Sequence, residues 1–396
     1  PTPENPPQFR NIAGQPRPIV YIAPMPPARL AATFANAFTR SAGVVAPLVI
    51  LAALVGVDKI ALAQSPSLTL VGRAPGTAAS RIYGLSADGR SAAGYSSLSG
   101  SIYPGFRWNA DTGRQDFGLG LSPPITLGFG ISGDGFTIVG GANPSEAGPS
   151  TAFRWSAGGG FSSLGSLPGY FNSEARDANH DGSVIVGTVS SQSGASTQGF
   201  RWTQSGGMQG LGEGTTGQAI SRDGSTVIGK FGTAPNAFRW TQSGGLQFLP
   251  TLNGVDGSTA PGINNDGSII VGRSGTTNSV PTMWINGTPT EIMPGSSNIY
   301  LSPGPLNDAG TVIVGQGQAQ GNPALFPAVW TPATGTIRLT DYLAANGLIL
   351  PAGLELFNVT AISADGLTFA GWTTGAFGTQ GYVATIGEDE PVNENL

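Results

Sequence analysis

The segment DANHDGSVIVGT places Asp177, Asn179 and Asp181 at alternate positions with Gly182 next, the spacing of the first half of a calcium loop. Oxygen donors on alternate residues can face one cation while the glycine turns the chain. The twelfth position is Thr188, where such a loop needs a bidentate glutamate. The segment therefore reads first as a hairpin turn and second as a weak calcium site on Asp177, Asn179 and Asp181. His180, the single histidine, lies in the same turn, where sister segments carry Asn265 and Arg222. No spacing sets it beside a nucleophile and a carboxylate, as a Ser-His-Asp arrangement requires. Zero cysteines remove thiol nucleophiles, disulfides and thiolate metal sites together. No catalytic residue is assigned, and no cofactor is expected. The other candidates are aromatic: Tyr95, Tyr103, Tyr170, Phe171 and Tyr300 fall in long, variable segments, where side chains held by a rigid scaffold commonly bind ligands.

What must position these residues is a unit repeated seven times between residues 65 and 386. Turns at Asp88-Gly89, Asp134-Gly135, Asp181-Gly182, Asp223-Gly224, Asp266-Gly267, Asp308 (as Asp-Ala-Gly, ending at Gly310) and Asp365-Gly366 are spaced by 46, 47, 42, 43, 42 and 57 residues. Periods of this size mean propellers or arrays. Each unit reads as four short strands: one before the turn, a second such as SVIVG or STVIG after it, a third marked by Phe-Arg-Trp, and a fourth after a Gly-rich turn. The near-continuous apolar second strands suit burial on both faces. Each unit's Trp is expected to pack between neighbouring sheets, and the Arg of Phe-Arg-Trp to lie along a neighbouring strand or pair with a turn carboxylate.

The ends of the array predict a closed ring. A lone fourth-type strand, SLTLVG at 67–72, precedes the first unit, and the last unit stops after its third strand, GYVATI. Pairing these two completes a seven-bladed β-propeller of four-stranded antiparallel blades and leaves no long open edge. Turns between strands one and two and between three and four emerge on one side and are short. The opposite side carries the long segments from Tyr95, Gly165, Gly295 and Asp341, the last long enough for a short helix.

The strings AISRDGSTVIG, TAFRWSAGGG, QGFRWTQSGG and NAFRWTQSGG resemble the bacterial extracellular repeats named for a His-Ala-Phe motif, the HAF-type repeat family, over residues 65–386. No copy carries the naming histidine; around Gly105, Ala152, Gly199 and Ala237 other residues stand there, so no role for that side chain is carried over. The resemblance implies a secreted or surface protein and supplies no catalytic motif.

Composition fits an exported β-protein: Gly is 62 of 396 residues and only 10% are charged, against the usual ~7% and ~25%. A net charge of −5 with scattered Lys and Arg argues against a nucleic-acid partner. Residues 1–40 form a Pro-rich leader ending in Arg29 and Arg40, and 41–63 read as the apolar region and cleavage site of a signal peptide cut after Ala63. The apolar run falls short of the ~20 residues of a membrane anchor and contains Pro47. The propeller is expected at 64–386 and an acidic tail at 387–396, with a further C-terminal domain conceivable as in an autotransporter passenger. The expected function is a non-enzymatic interaction module, exported to the cell surface, medium or periplasm, monomeric, whose long-loop face takes an extracellular protein or glycan. The alternative is a hydrolase or lyase acting on glycans in the propeller channel. That reading needs convergent carboxylates on first strands, which offer mostly Gly, Ala, Ile, Ser and Asn.

Overall fold

The computed structural model describes residues 65–97, 103–118, 125–143, 148–232, 236–276, 279–292, 295 and 298–387. The chain divides into two units, Pro1–Ala63 and Gln64–Leu396, and the described residues belong to the second. The leader 1–40, the apolar region and cleavage site at 41–63 and the tail beyond 387 lie outside them.

Among the described residues, strands β1–β28, numbered in chain order, form seven four-stranded antiparallel sheets. The chain is a seven-bladed β-propeller. The innermost strand of each blade is, in turn, β2 (Ala79–Leu85), β6 (Ile125–Ile131), β10 (Asn172–Ala178), β14 (Thr215–Ile220), β18 (Ser258–Ile263), β22 (Ile299–Leu306) and β26 (Leu354–Ile362). In the fourth blade, β14 is followed by β15 (Thr226–Phe231), β16 (Asn236–Thr241) and β17 (Gly245–Phe248). A short helix, α1 (Leu339–Ala345), buries Leu339 and Leu343 in the loop before β26.

The repeated aromatics build the core. Phe106, Phe153, Phe200 and Phe238 are fully buried, while the tryptophans bind blades together: Trp155 of the second blade stacks on Phe117 of the first, ring centroids 4.6 Å apart. In the degenerate units, buried Trp284 donates its Nε1–H to Pro250 O (2.6 Å) and buried Tyr382 its hydroxyl to Asn358 O (3.0 Å). Two of the motif arginines are straps. Arg107 donates to Gly135 O in the next blade's turn (2.9 Å), and Arg154 lies 5.6 Å from the ring of Trp202, also one blade on.

Closure has two parts. β1 (Ser67–Leu70) pairs with β28 (Gly381–Thr385), Ser67 opposite Thr385 and Leu70 opposite Tyr382, so the N-terminal strand completes the last blade. On the tight-turn face, backbone bonds run from blade to blade: Ala87 N–H to Gly133 O (2.8 Å), His180 N–H to Arg222 O (2.8 Å), Asp223 N–H to Asn265 O (3.1 Å), Asp308 N–H to Ala364 O (2.9 Å) and Ala364 N–H to Ala87 O (2.8 Å). The Asn264 side chain supplies the link to Asp308 O (3.1 Å). In the sixth unit the turn differs from the sequence alignment. Gly310 N–H bonds to Asn307 O as Gly182 N–H does to Asn179 O, so Asp308 occupies the place of His180 and Ala309 that of the turn aspartate.

Every first strand is bulged, with register shifts such as Ile82/Gly84, Gly128/Gly130, Ala175/Asp177 and Gly217/Ala219. Opposite each bulge stands a second-strand glycine: Gly94, Gly140, Gly187, Gly229, Gly272, Gly315 or Gly371. A Cβ there would lie only 1.8 to 2.1 Å from a first-strand carbonyl oxygen. The bulge brings that carbonyl over the glycine, and no larger residue fits.

Candidate functional site

A bulge leaves one residue out of the ladder and re-aims its side chain. Here the residues released around the axis include Tyr83, Phe129, Arg176 and Gln218 in four successive blades, with Pro261 in the fifth and Phe357 and Thr360 in the seventh.

Those of the seventh, first and second blades make an aromatic wall. Tyr83 stacks on Tyr95 of β3 (Ser91–Ser97), centroids 5.2 Å apart and planes 10° off parallel, and meets Phe129 edge-on at 6.0 Å. Tyr103 lies edge-on to Tyr95 at 6.1 Å. Trp372 of β27 (Thr368–Gly375) sits 5.5 Å from Tyr83 and stacks at 6.4 Å with Phe357, which is 53% exposed. The Tyr83 and Tyr95 hydroxyls are 3.0 Å apart. Burial, reinforced by that bond, pushes the Tyr83 hydroxyl well above the usual phenol range, so it stays a neutral donor.

Arg176 joins this wall to a polar one. Its guanidinium lies 4.5 Å from the Phe129 ring centroid and pairs with Glu174 at 2.7 Å. Both line a cavity of about 750 Å³, together with Asn172 on β10, Thr188 and Ser190 on β11 (Val184–Ser190), Thr216, Gly217 and Gln218 on β14, Lys230 on β15, and Ser150 and Pro261. Most of these positions are the beginnings of first strands and the ends of second strands, so the cavity opens toward the long-loop face. Thr216 Oγ1 and Gln218 Oε1 are buried and have no hydrogen-bond partner among the described residues.

Tyr95 and Tyr103 thus stand in the site, and the other aromatic candidates stand apart from them. Tyr170 packs against the buried cluster of Ala152, Leu164 and Phe200, Phe171 is 39% exposed in the loop before β10, and Tyr300 is 52% exposed on β22. Tyr83, Phe129, Arg176, Gln218, Lys230 and Trp372 carry no motif of their own in the sequence. The signal that finds the first four is the second-strand glycine, which marks a bulge opposite.

The half calcium loop is corrected by its hydrogen bonds. Asp177 Oδ1 accepts from Ala178 N–H (2.9 Å) and Oδ2 from Ile220 N–H (3.0 Å), Asn179 Oδ1 accepts from Val184 N–H (2.9 Å), and Asp181 Oδ1 accepts from Ser183 N–H (3.0 Å). These side chains cap backbone N–H groups of their own turn and of the next blade. No group of three or more His, Asp or Glu residues positioned to hold a metal occurs among the described residues. Asp177 instead staples the third blade to the fourth, and burial pushes its carboxyl up to about 6. His180 is an exposed turn residue whose backbone serves the blade-to-blade ring.

No protein-family model and no curated relative matches the chain. Among solved structures, oligogalacturonate lyase from Vibrio parahaemolyticus is similar at a TM-score of 0.52 and 14% identity, over 82% of this chain and 96% of that one. The β-propeller domain of the trilobed protease from Pyrococcus furiosus, described as an open velcro topology, gives 0.53 and 10%, over 81% and 99%. TolB from Acinetobacter baumannii gives 0.43 and 14%, over 65% of this chain and 62% of TolB. At these identities the likeness is one of fold: the class is the β-propeller, and β1 closes this member where the Pyrococcus domain is described as open.

Proposed function

We propose that this chain is an exported, non-enzymatic binding module that takes its ligand at the long-loop mouth of the propeller channel. One observation carries the reading: bulges in successive first strands set Tyr83, Phe129, Arg176 and Gln218 side by side around the axis, next to Tyr95, Tyr103 and a cavity of about 750 Å³. Concave sites with an aromatic wall and a few polar groups are the usual form of small-ligand sites. The exported setting is supported by the HAF-type repeat resemblance and the signal-like segment 41–63.

The second reading, a hydrolase or lyase acting on glycans, is supported by the propeller shared with oligogalacturonate lyase. Glycoside hydrolysis by paired carboxylates needs two of them across the bond. Among the described residues lining the cavity Glu174 alone is acidic, and it is bound to Arg176. Binding therefore has stronger support than hydrolysis.

The test compares capture of a glycan array and of an outer-surface extract by the parent chain, by the Tyr95→Ala, Tyr103→Ala pair and by Phe171→Ala. The expected result is loss of capture for the tyrosine pair and retention for Phe171→Ala. Capture unchanged by the tyrosine pair but abolished by substitutions at the Asp-Gly turns overturns the assignment of the face.

A further inference from the structure

We infer that the channel mouth is a site for an anionic, carboxylate-bearing oligosaccharide; this names the ligand class of the binding site proposed above and rests on that reading. The two walls of the mouth ask for different chemistry from one molecule. Tyr83, Tyr95, Tyr103, Phe129, Phe357 and Trp372 form a continuous aromatic surface. A sugar ring presents a flat face of C–H groups to such a surface while its hydroxyls project sideways. The adjoining wall, reached through Arg176 beside Phe129, supplies short polar side chains for those hydroxyls: Asn172, Thr188, Ser190, Thr216 and Gln218.

Two of these are already in need of a partner. Thr216 Oγ1 and Gln218 Oε1, two residues apart on β14, are buried and unpaired among the described residues, and a buried polar atom left unmatched is costly. A polyhydroxyl ligand offers both donors and acceptors, which suits one hydroxyl and one amide oxygen side by side.

Charge selects the class of sugar. Glu174 is neutralised by Arg176 at 2.7 Å. Lys230, exposed at the cavity rim, pairs with no carboxylate among the described residues. The cavity wall therefore carries a net positive charge inside a chain of net charge −5, and a ligand carboxylate directed at Lys230 completes it. Single-stranded nucleic acid also combines stacking with cations. A strand carries one phosphate per base, however, and Arg176, already paired, and Lys230 are the cations of this wall.

The experiment is titration calorimetry on the full chain with three probes: a uronic-acid hexasaccharide, the neutral hexasaccharide of the same linkage, and a dT hexanucleotide. At low salt the uronate is expected to bind about tenfold tighter than the neutral sugar, the size of one partly desolvated charge pair. The preference should vanish in Lys230→Gln and shrink at high ionic strength. Phe357→Ala, at an exposed ring that leaves folding intact, should weaken both sugars. Equal binding of the two sugars, or tighter binding of the hexanucleotide, overturns the assignment. If no probe binds while a surface-extract ligand is still lost with Tyr95→Ala and Tyr103→Ala, the saccharide class fails and the binding face stands.

Discussion

Gly187 shows how strictly single positions are set. A Cβ there would lie 2.0 Å from Glu174 O and 2.8 Å from the ring of Phe200, so Gly187→Ala must move a strand or flatten the bulge that presents Arg176. Overpacking of this kind typically costs ~1–3 kcal/mol, read as a lower urea midpoint. A change within about 0.5 kcal/mol, the scale of a surface substitution, would show that the bulge is soft. Trp202→Ala should likewise cost ~3–5 kcal/mol as a buried aromatic, whereas Phe171→Ala should leave the melting temperature nearly unchanged. Thr216→Val separates function from stability. It removes a buried unpaired hydroxyl, so the free protein should melt higher while ligand binding weakens; a lower melting temperature would mean that the hydroxyl has a structural partner. Asp177 sets a pH dependence. Its carboxyl lies near 6 in the folded chain and at about 3.9 in an unfolded one, so the native state binds the extra proton between these values. This contribution to stability is complete below about pH 4 and is lost as pH rises through 6, on the order of 2–3 kcal/mol. Denaturant midpoints for the parent and Asp177→Asn between pH 4 and 7 check it: the parent should show the downward slope with rising pH and the variant should lose it.

At the level of the strand, much was legible because each signal was repeated. Asp-Gly turns, apolar second strands and Phe-Arg-Trp third strands each recur at one spacing, and the spare strand at 67–72 declared the closure that β1 and β28 make. The abundance of glycine has two causes, the turns and the bulges. A bulge is one residue of register and leaves the apolar pattern of its strand intact, so Tyr83 and Phe129 read as ordinary first-strand residues. Loop length, conversely, does not gather side chains into one place. Tyr170, in a long loop, packs on the core, and Tyr300 stands alone on the sixth blade, because a long loop guarantees exposure and not convergence. The closing strand carries its own prediction. Removing residues 65–73 leaves β28 with an unpaired edge next to the fully buried Tyr382, and the melting temperature should fall by more than about 5 °C. Melting like the parent would show that the inner ring of turn hydrogen bonds holds the propeller closed unaided.

Over the whole molecule, the two faces divide the work. The tight-turn face is knit by backbone bonds from blade to blade, with Arg222 and Asp308 approaching to 3.9 Å from the fourth and sixth blades. The long-loop face opens onto the aromatic and polar walls. A rigid ring of this kind gives affinity cheaply, because the groups that meet the ligand are ordered before it arrives. The most direct test of this division is hydrogen–deuterium exchange of the full chain with and without whichever ligand the glycan array and surface extract return. Protection should concentrate around Tyr83 on β2, around Tyr95 on β3, and at 172–176 and 216–218, with none at the Asp-Gly turns. Protection centred on 133–136 and 265–268 instead would place binding on the opposite face and contradict the account.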